Sequence, residues 1–238
     1  MTPWRGPVIV TGTDTGVGKT IVTAAIAAAA TQSGLRVAVV KPGQTGVADG
    51  EETDAEAVQR FAAPATVRTL ASYPDPLAPL TAARVAGLAP LVLADVLTAV
   101  EELAADHELV LVEGAGGLLV QLGDGGWSIA DLAIALGAPA VVVARAGLGT
   151  LNHVALTLEA LDRREIPAAV VIGSWPAQSE LVHRTNLEDL PTELAGIVPD
   201  GVGGWQPARF RERVTDWLAP ELYGAFDAEK FRSAASSV

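Results

Sequence analysis

The run Gly12-Thr13-Asp14-Thr15-Gly16-Val17-Gly18-Lys19-Thr20 puts a lysine and a hydroxyl directly after a glycine-rich turn. Those residue types in that order suit phosphate. Glycine lets the backbone curl until successive N–H groups face one anion. A helix starting there would add positive potential at the same spot. Lys19 can reach the β- and γ-phosphates of a nucleotide, and the Thr20 hydroxyl can ligate Mg²⁺. Five residues separate Gly12 from Gly18, one more than in the common phosphate loop. The motif by itself points to a nucleoside triphosphate.

Further residues could complete such a site. Lys41 follows the apolar run at 36–40 and precedes Pro42, which is expected to end regular structure there. A solvated surface lysine is the plain alternative, because lysine is rarely buried. A place beside a phosphate loop favours a second ammonium that balances charge on a phosphoryl group in transfer. Glu113 closes Leu109-Val110-Leu111-Val112, where nucleotide hydrolases carry an acidic metal ligand. The alternative is a strand-end carboxylate capping nearby N–H groups. The glycines after Glu113 permit close approach of backbone to a ligand. Asp54 lies in Gly50-Glu51-Glu52-Thr53-Asp54-Ala55-Glu56, and such an acidic run is ordinarily a solvated helix start. His107, His153 and His183 lack metal-ligand spacing. Ser128 and Ser174 have no recognisable His/Asp context, and the scattered tryptophans suit packing better than a stacking platform.

These residues need a scaffold. Short apolar runs at 7–11, 36–40, 109–112, 138–144, 168–172 and 194–198 read as strands. Most lack polar alternation, the pattern of parallel strands buried on both faces. Helical patterns fall near 19–33, 53–62, 91–105, 128–136, 151–164, 178–188 and 207–218. The alternation predicts a three-layer α/β fold with a mainly parallel sheet, a single P-loop NTPase-like domain over 1–226, and a flexible tail at 227–238. In such folds ligands bind at the carboxyl ends of the strands. The nucleotide-binding candidates are therefore Thr15, Gly16, Val17, Gly18, Lys19, Thr20 and Ile21, then Glu113, Gly114, Ala115 and Gly116. Gly173, Ser174, Pro199, Asp200 and Gly201 join them from later strand ends.

Composition narrows the field. A formal net charge of −12 argues against nucleic acid and anionic membranes as partners. The chain has no cysteine, which excludes disulfides, zinc thiolate sites and cysteine nucleophiles. Neither a secretory signal nor a membrane-length apolar stretch is visible, so a cytoplasmic protein is expected.

The combined motifs resemble dethiobiotin synthetase. The resemblance rests on 11–20, on Lys41-Pro42-x-x-Thr45-Gly46, on Val112-Glu113-Gly114-Ala115-Gly116-Gly117 and on Leu148-Gly149-x-x-Asn152-His153, and it spans about 6–220. It implies Mg²⁺ as cofactor and three substrates: 7,8-diaminopelargonate, CO₂ (or bicarbonate) and ATP or another nucleoside triphosphate. It implies that Lys19 and Lys41 stabilise a carbamate and the phosphoryl group in transfer, and that Thr20, Asp54 and Glu113 hold Mg²⁺. Thr15 and Thr45 would bond the substrate's nitrogen or carbamate end. Gly149, Thr150, Leu151 and Asn152 would hold its carboxylate tail across a homodimer interface. Two departures stand out. Well-known members carry an adenine-reading Asn where this chain has Ile172-Gly173-Ser174-Trp175, so weak discrimination among triphosphates is expected. Some members carry Glu where this chain has Gly16.

The competing function is a ParA/MinD-like partitioning ATPase. Those proteins carry a signature lysine where this chain has Asp14. A cobyrinate-type amide ligase would need a cysteine and an extra domain.

Overall fold

A computed structural model describes residues 2–47 and 50–235. Its seven strands are β1 (Gly6–Gly12), β2 (Val37–Thr45), β3 (Thr66–Tyr73), β4 (Leu109–Glu113), β5 (Ala140–Ala144), β6 (Ala168–Trp175) and β7 (Leu194–Pro199). They form one sheet in the order β3-β2-β4-β1-β5-β6-β7, and every pairing is parallel. The helices are α1 (Lys19–Gln32), α2 (Asp54–Ala62), α3 (Pro79–Ala86), α4 (Leu93–Asp106), α5 (Ile129–Leu136), α6 (Thr150–Asp162), α7 (Leu181–Asp189), α8 (Pro207–Trp217) and α9 (Ala228–Ala235).

Strand side chains alternate between two cores, as the period of two requires. Val8 and Val10 of β1 face a core built with α1, α2 and α8. Ile9, with Val110 and Val112 of β4, faces a core built with α4, α5 and α6. Both faces are thus covered, which explains the unbroken apolar runs. Helix α1 is buried from Val22 through Ala30. Alanine makes this possible: it forms helix well and lets a helix lie close against both the sheet and its neighbours.

Three features depart from expectation. β2 does not stop at Pro42 but continues to Thr45. Its pairing with β4 covers Val37 to Val40, while pairing with β3 runs on through Gly43, Gln44 and Thr45. Proline there costs little, because only one neighbouring strand remains. Strand β3 and helix α3 carried no clear signal. β3 is an edge strand of mixed burial, so it lacks the continuous apolar run of its neighbours. The segment expected as a tail carries α9, with residues 236–238 outside the described residues. Phe231 of α9 packs edge-on against Trp175 at 5.5 Å and lies tilted against Phe226 at 5.8 Å. Phe231, with Ala228 and Ala235, anchors the helix to the core.

Ser128 has a structural partner. Its N–H and its Oγ each donate to the Asp131 carboxylate at 2.7 Å, capping α5. Burial works to raise the pKa of Asp131, but the Ser128 bonds outweigh it and hold it below the ordinary aspartate value. The cap's contribution is therefore present above that ordinary value and is lost as pH falls through the lowered one. Asp131→Ala is expected to lower stability by about 1 kcal/mol, and urea unfolding at neutral and acid pH should show the difference shrinking in acid.

Candidate active site

A cavity of about 620 Å³ opens at the carboxyl end of the sheet. The turn into α1 contributes Thr15, Gly16, Gly18, Lys19, Thr20 and Ile21. β2 contributes Lys41, Gly43, Gln44 and Thr45, and α2 contributes Asp54. Pro76–Pro79 enter from the turn after β3. Glu113, Ala115, Gly116 and Val120 complete the wall. Val17 and Gly114 lie buried beneath this lining.

The loop is shaped for an anion. Gly18 adopts φ 96° as the residue capping α1, a left-handed conformation open to glycine. Val22 N–H donates to the Gly18 carbonyl at 3.0 Å. The N–H groups of Lys19, Thr20 and Ile21 precede that first helical bond and have no acceptor within the helix. Lys19 Nζ donates to the Asp14 carbonyl at 2.9 Å, folding the ammonium over the loop. Burial, then the Lys41 charge, holds the Lys19 pKa below the ordinary lysine value. Asp14 Oδ1 accepts from Thr15 N–H at 2.7 Å, and its Oδ2 accepts from Arg145 at 2.7 Å. An acid thus ties the loop to the segment after β5, at the position where a partitioning ATPase would have lysine.

Gly173 supports the loop from behind. A Cβ on Gly173 would collide with the Val17 carbonyl oxygen, and one on Gly18 would sit 2.8 Å from the Gly173 carbonyl oxygen. β6 and the loop therefore meet backbone against backbone. Ser174 Oγ donates to Asp200 Oδ1 at 2.7 Å, and Asp200 N–H donates to the Trp175 carbonyl at 2.8 Å. Gly173, Ser174, Pro199, Asp200 and Gly201 form a strand-end ledge outside the cavity lining.

The charged corner is the densest part of the site. Lys41 lies within β2, not after it, and is only 5% exposed. Its Nζ sits 2.6 Å from Asp54 Oδ2 and 2.8 Å from Glu113 Oε1, and it donates to the Gly114 carbonyl at 3.2 Å. Thr20 Oγ1 lies 2.7 Å from Asp54 Oδ1 and 3.0 Å from Glu113 Oε1. A hydroxyl has one proton and cannot donate fully to both. Three hard oxygen donors thus converge on one point beside the phosphate cradle, a set that suits Mg²⁺ completed by water and phosphate oxygens. Among the described residues, no group of three or more His, Cys, Asp or Glu could hold a metal. Burial opposes the charge on Lys41, but Glu113 and then Asp54 outweigh it and raise its pKa. Burial likewise works against ionised Asp54, but Lys41 and Thr20 bring its pKa below the ordinary value. This geometry rules out a solvated Lys41 and shows Asp54, though half-buried, engaged by Lys41 and Thr20.

The structure leaves Gly149, Thr150, Leu151 and Asn152 outside the cavity lining, at the start of α6. Asn186, not singled out by sequence, fixes the turn before them. Its Nδ2 donates to the Ala146 and Gly147 carbonyls, each at 3.0 Å. Gly43, Gln44, Pro76–Pro79 and Val120 are the other unforeseen contributors. Gln44 stood in the right segment but carries no charge to draw notice, and the 76–79 turn follows the unrecognised β3.

The loop and the sheet order define a P-loop nucleotide-binding protein. Residues 7–201 match the AAA domain family. MinD from Pyrococcus horikoshii, solved with Mg-ADP, shares the fold with a TM-score of 0.56 over 100% of this chain and 96% of that one, at 18% identity. MinD from Aquifex aeolicus gives 0.51 over 88% and 87%, at 16% identity. That kinship is one of fold, so the partitioning ATPase is a distant architectural relative. Sequence is more specific. The ATP-dependent dethiobiotin synthetase BioD of Streptomyces avermitilis is 53% identical over 95% of this chain and 97% of its own length. The synthetases of Saccharopolyspora erythraea (54%, covering 91% and 96%) and Mycobacteroides abscessus (46%, covering 90% and 95%) agree. The chain belongs to the ATP-dependent dethiobiotin synthetase family, and is a ligase that forms a carbon–nitrogen bond. Among the described residues, no helix is long and apolar enough to cross a membrane.

The corner makes Lys41 a structural element as well as a chemical one. Lys41→Ala would leave Glu113, 2% exposed, without its charged partner. Urea unfolding should show a loss of about 3 kcal/mol, largely recovered in Lys41→Ala/Glu113→Gln. Wild-type stability in the single variant would refute the pairing.

Proposed function

We propose that the enzyme builds the cyclic urea of dethiobiotin from 7,8-diaminopelargonate, CO₂ and a nucleoside triphosphate. One amine of the substrate adds to CO₂ and loses a proton, giving a carbamate. A carbamate oxygen attacks the γ-phosphorus, and the nucleoside diphosphate leaves. The second amine attacks the carbonyl carbon of the resulting carbamic–phosphoric anhydride. Inorganic phosphate departs, the attacking nitrogen loses a proton and the ring closes.

The observation that carries this reading is the pair of ammonium groups, Lys19 and Lys41, in one cavity with a hydroxyl and two carboxylates. The backbone of Thr15 to Ile21 and the Lys19 ammonium take the phosphates. Thr20, Asp54 and Glu113 hold Mg²⁺, which when bound neutralises charge on the β- and γ-phosphate oxygens. Lys41 then faces the carbamate and the equatorial oxygens of the phosphoryl group. Thr15 and Thr45, both on the cavity wall, bond the substrate's nitrogen or carbamate end. Gly149 to Asn152 hold the far carboxylate at the N-terminal end of α6, across a homodimer interface. The exposed Leu148 (87%) and Leu156 (56%) on and beside that helix support such an interface.

Phosphate release should require both diaminopelargonate and bicarbonate. Hydrolysis indifferent to both would defeat the proposal. The base should be read weakly, because the Ser174 hydroxyl is engaged by Asp200 where an amide would read adenine. The kcat/KM values for the four common triphosphates are expected to agree within about tenfold, ~1.4 kcal/mol; a much larger ATP preference would show a base contact elsewhere.

A further inference from the structure

We infer that Gln44 is a positioning residue that sets the place of the Asp54 carboxylate. The inference rests on the assignment of Asp54 to Mg²⁺ given above. Asp54 is the first residue of α2, and the N–H groups of a helix's first turn have no acceptor within the helix. The local cap serves two neighbouring donors. Thr53 N–H donates to Glu56 Oε2 at 2.8 Å, and Glu56 N–H donates to Thr53 Oγ1 at 3.2 Å. The N–H of Asp54 is instead taken by Gln44 Oε1 at 3.2 Å.

Gln44 lies on β2 three residues beyond Lys41, and its backbone is paired with Ser72 of β3. The same strand therefore grips Asp54 twice: Lys41 by the carboxylate and Gln44 by the backbone. The grip crosses ten residues of chain, so it replaces dependence on the intervening loop. Gln44 is also buried on the cavity wall. A neutral amide has a particular advantage there. Aspartate or glutamate commonly accepts at helix starts, but would set a third negative charge beside Asp54 and Glu113 and compete for Lys41. The second amide atom is lightly used, with Nε2 3.4 Å from the Thr45 carbonyl. Without the Oε1 acceptor, the start of α2 keeps only the Lys41 tether to β2, and the carboxylate it carries is placed less firmly against Thr20 and Glu113. Contacts that orient a metal's ligands commonly govern affinity by ten- to a hundredfold.

The test compares Gln44→Met, which keeps length but removes the acceptor, with Gln44→Asn, too short to reach. Mn²⁺ serves as the probe on enzyme saturated with β,γ-methylene-ATP, with free Mn²⁺ read by electron paramagnetic resonance. Met and Asn should weaken Mn²⁺ binding about tenfold and raise the Mg²⁺ needed for half-maximal turnover in proportion. The KM for diaminopelargonate at saturating Mg²⁺ should stay near wild type. Wild-type Mn²⁺ affinity in both Met and Asn variants would overturn the inference, whether or not their melting temperatures fall. A raised diaminopelargonate KM with unchanged Mn²⁺ affinity would also overturn it, making Gln44 a substrate contact. The Mn²⁺ measurement needs no turnover, so it reads separately from failure of the proposed reaction.

Discussion

A buried lysine held between two carboxylates organises the molecule's working end. Lys41 on β2 joins Glu113 on β4 and Asp54 on α2. Burying any one of these charges alone would be costly, and together they are neutralised by short contacts. Because the partners come from three elements, the electrostatic requirement fixes how those elements meet. The arrangement places the charges toward the carboxyl ends of β2 and β4, beyond their buried apolar stretches. The apolar sheet supplies rigidity, and the charges gather where the strands stop.

The same corner accounts for what the fold alone does not determine. MinD shares the layered sheet and the loop over nearly the whole chain, yet low identity leaves the chemistry free to differ. Here Asp14 is anchored by Arg145, and a second ammonium enters from β2. The loop provides a way to hold phosphates, and the neighbouring strand determines what is placed opposite them.

Much of this was legible in the chain. The central strands announced themselves as continuous apolar runs because both of their faces are covered. Thr20 was legible from the phosphate-loop motif, and Lys41 and Glu113 because each follows or closes such a run. Asp54 was not legible locally, since an acidic helix start looks the same whether solvated or engaged; only the distances to Lys41 and Thr20 distinguish them. β3 escaped because an edge strand has weaker need of apolar residues. Its omission hid the Pro76–Pro79 wall that follows it. α9 escaped because its composition is polar, and its anchor is a contact between Phe231 and Trp175 that no local pattern encodes. Gly173 was read as following its strand but lies within β6, and its close approach to Val17 is a matter of backbone geometry across the sheet.

The alanines of α1 carry a consequence for how this protein can vary. From Ala24 to Ala30 the helix is enclosed on the sheet side and on the helix side alike, and the interior is packed too tightly to admit added methyl groups cheaply. Enlarging one of these residues would push the helix along or away from the sheet. The phosphate loop is the helix's own leading end, so it would be carried with it. Evolutionary drift behind the loop is therefore confined to small residues, and the placement of the phosphates is guarded by side chains that never approach them.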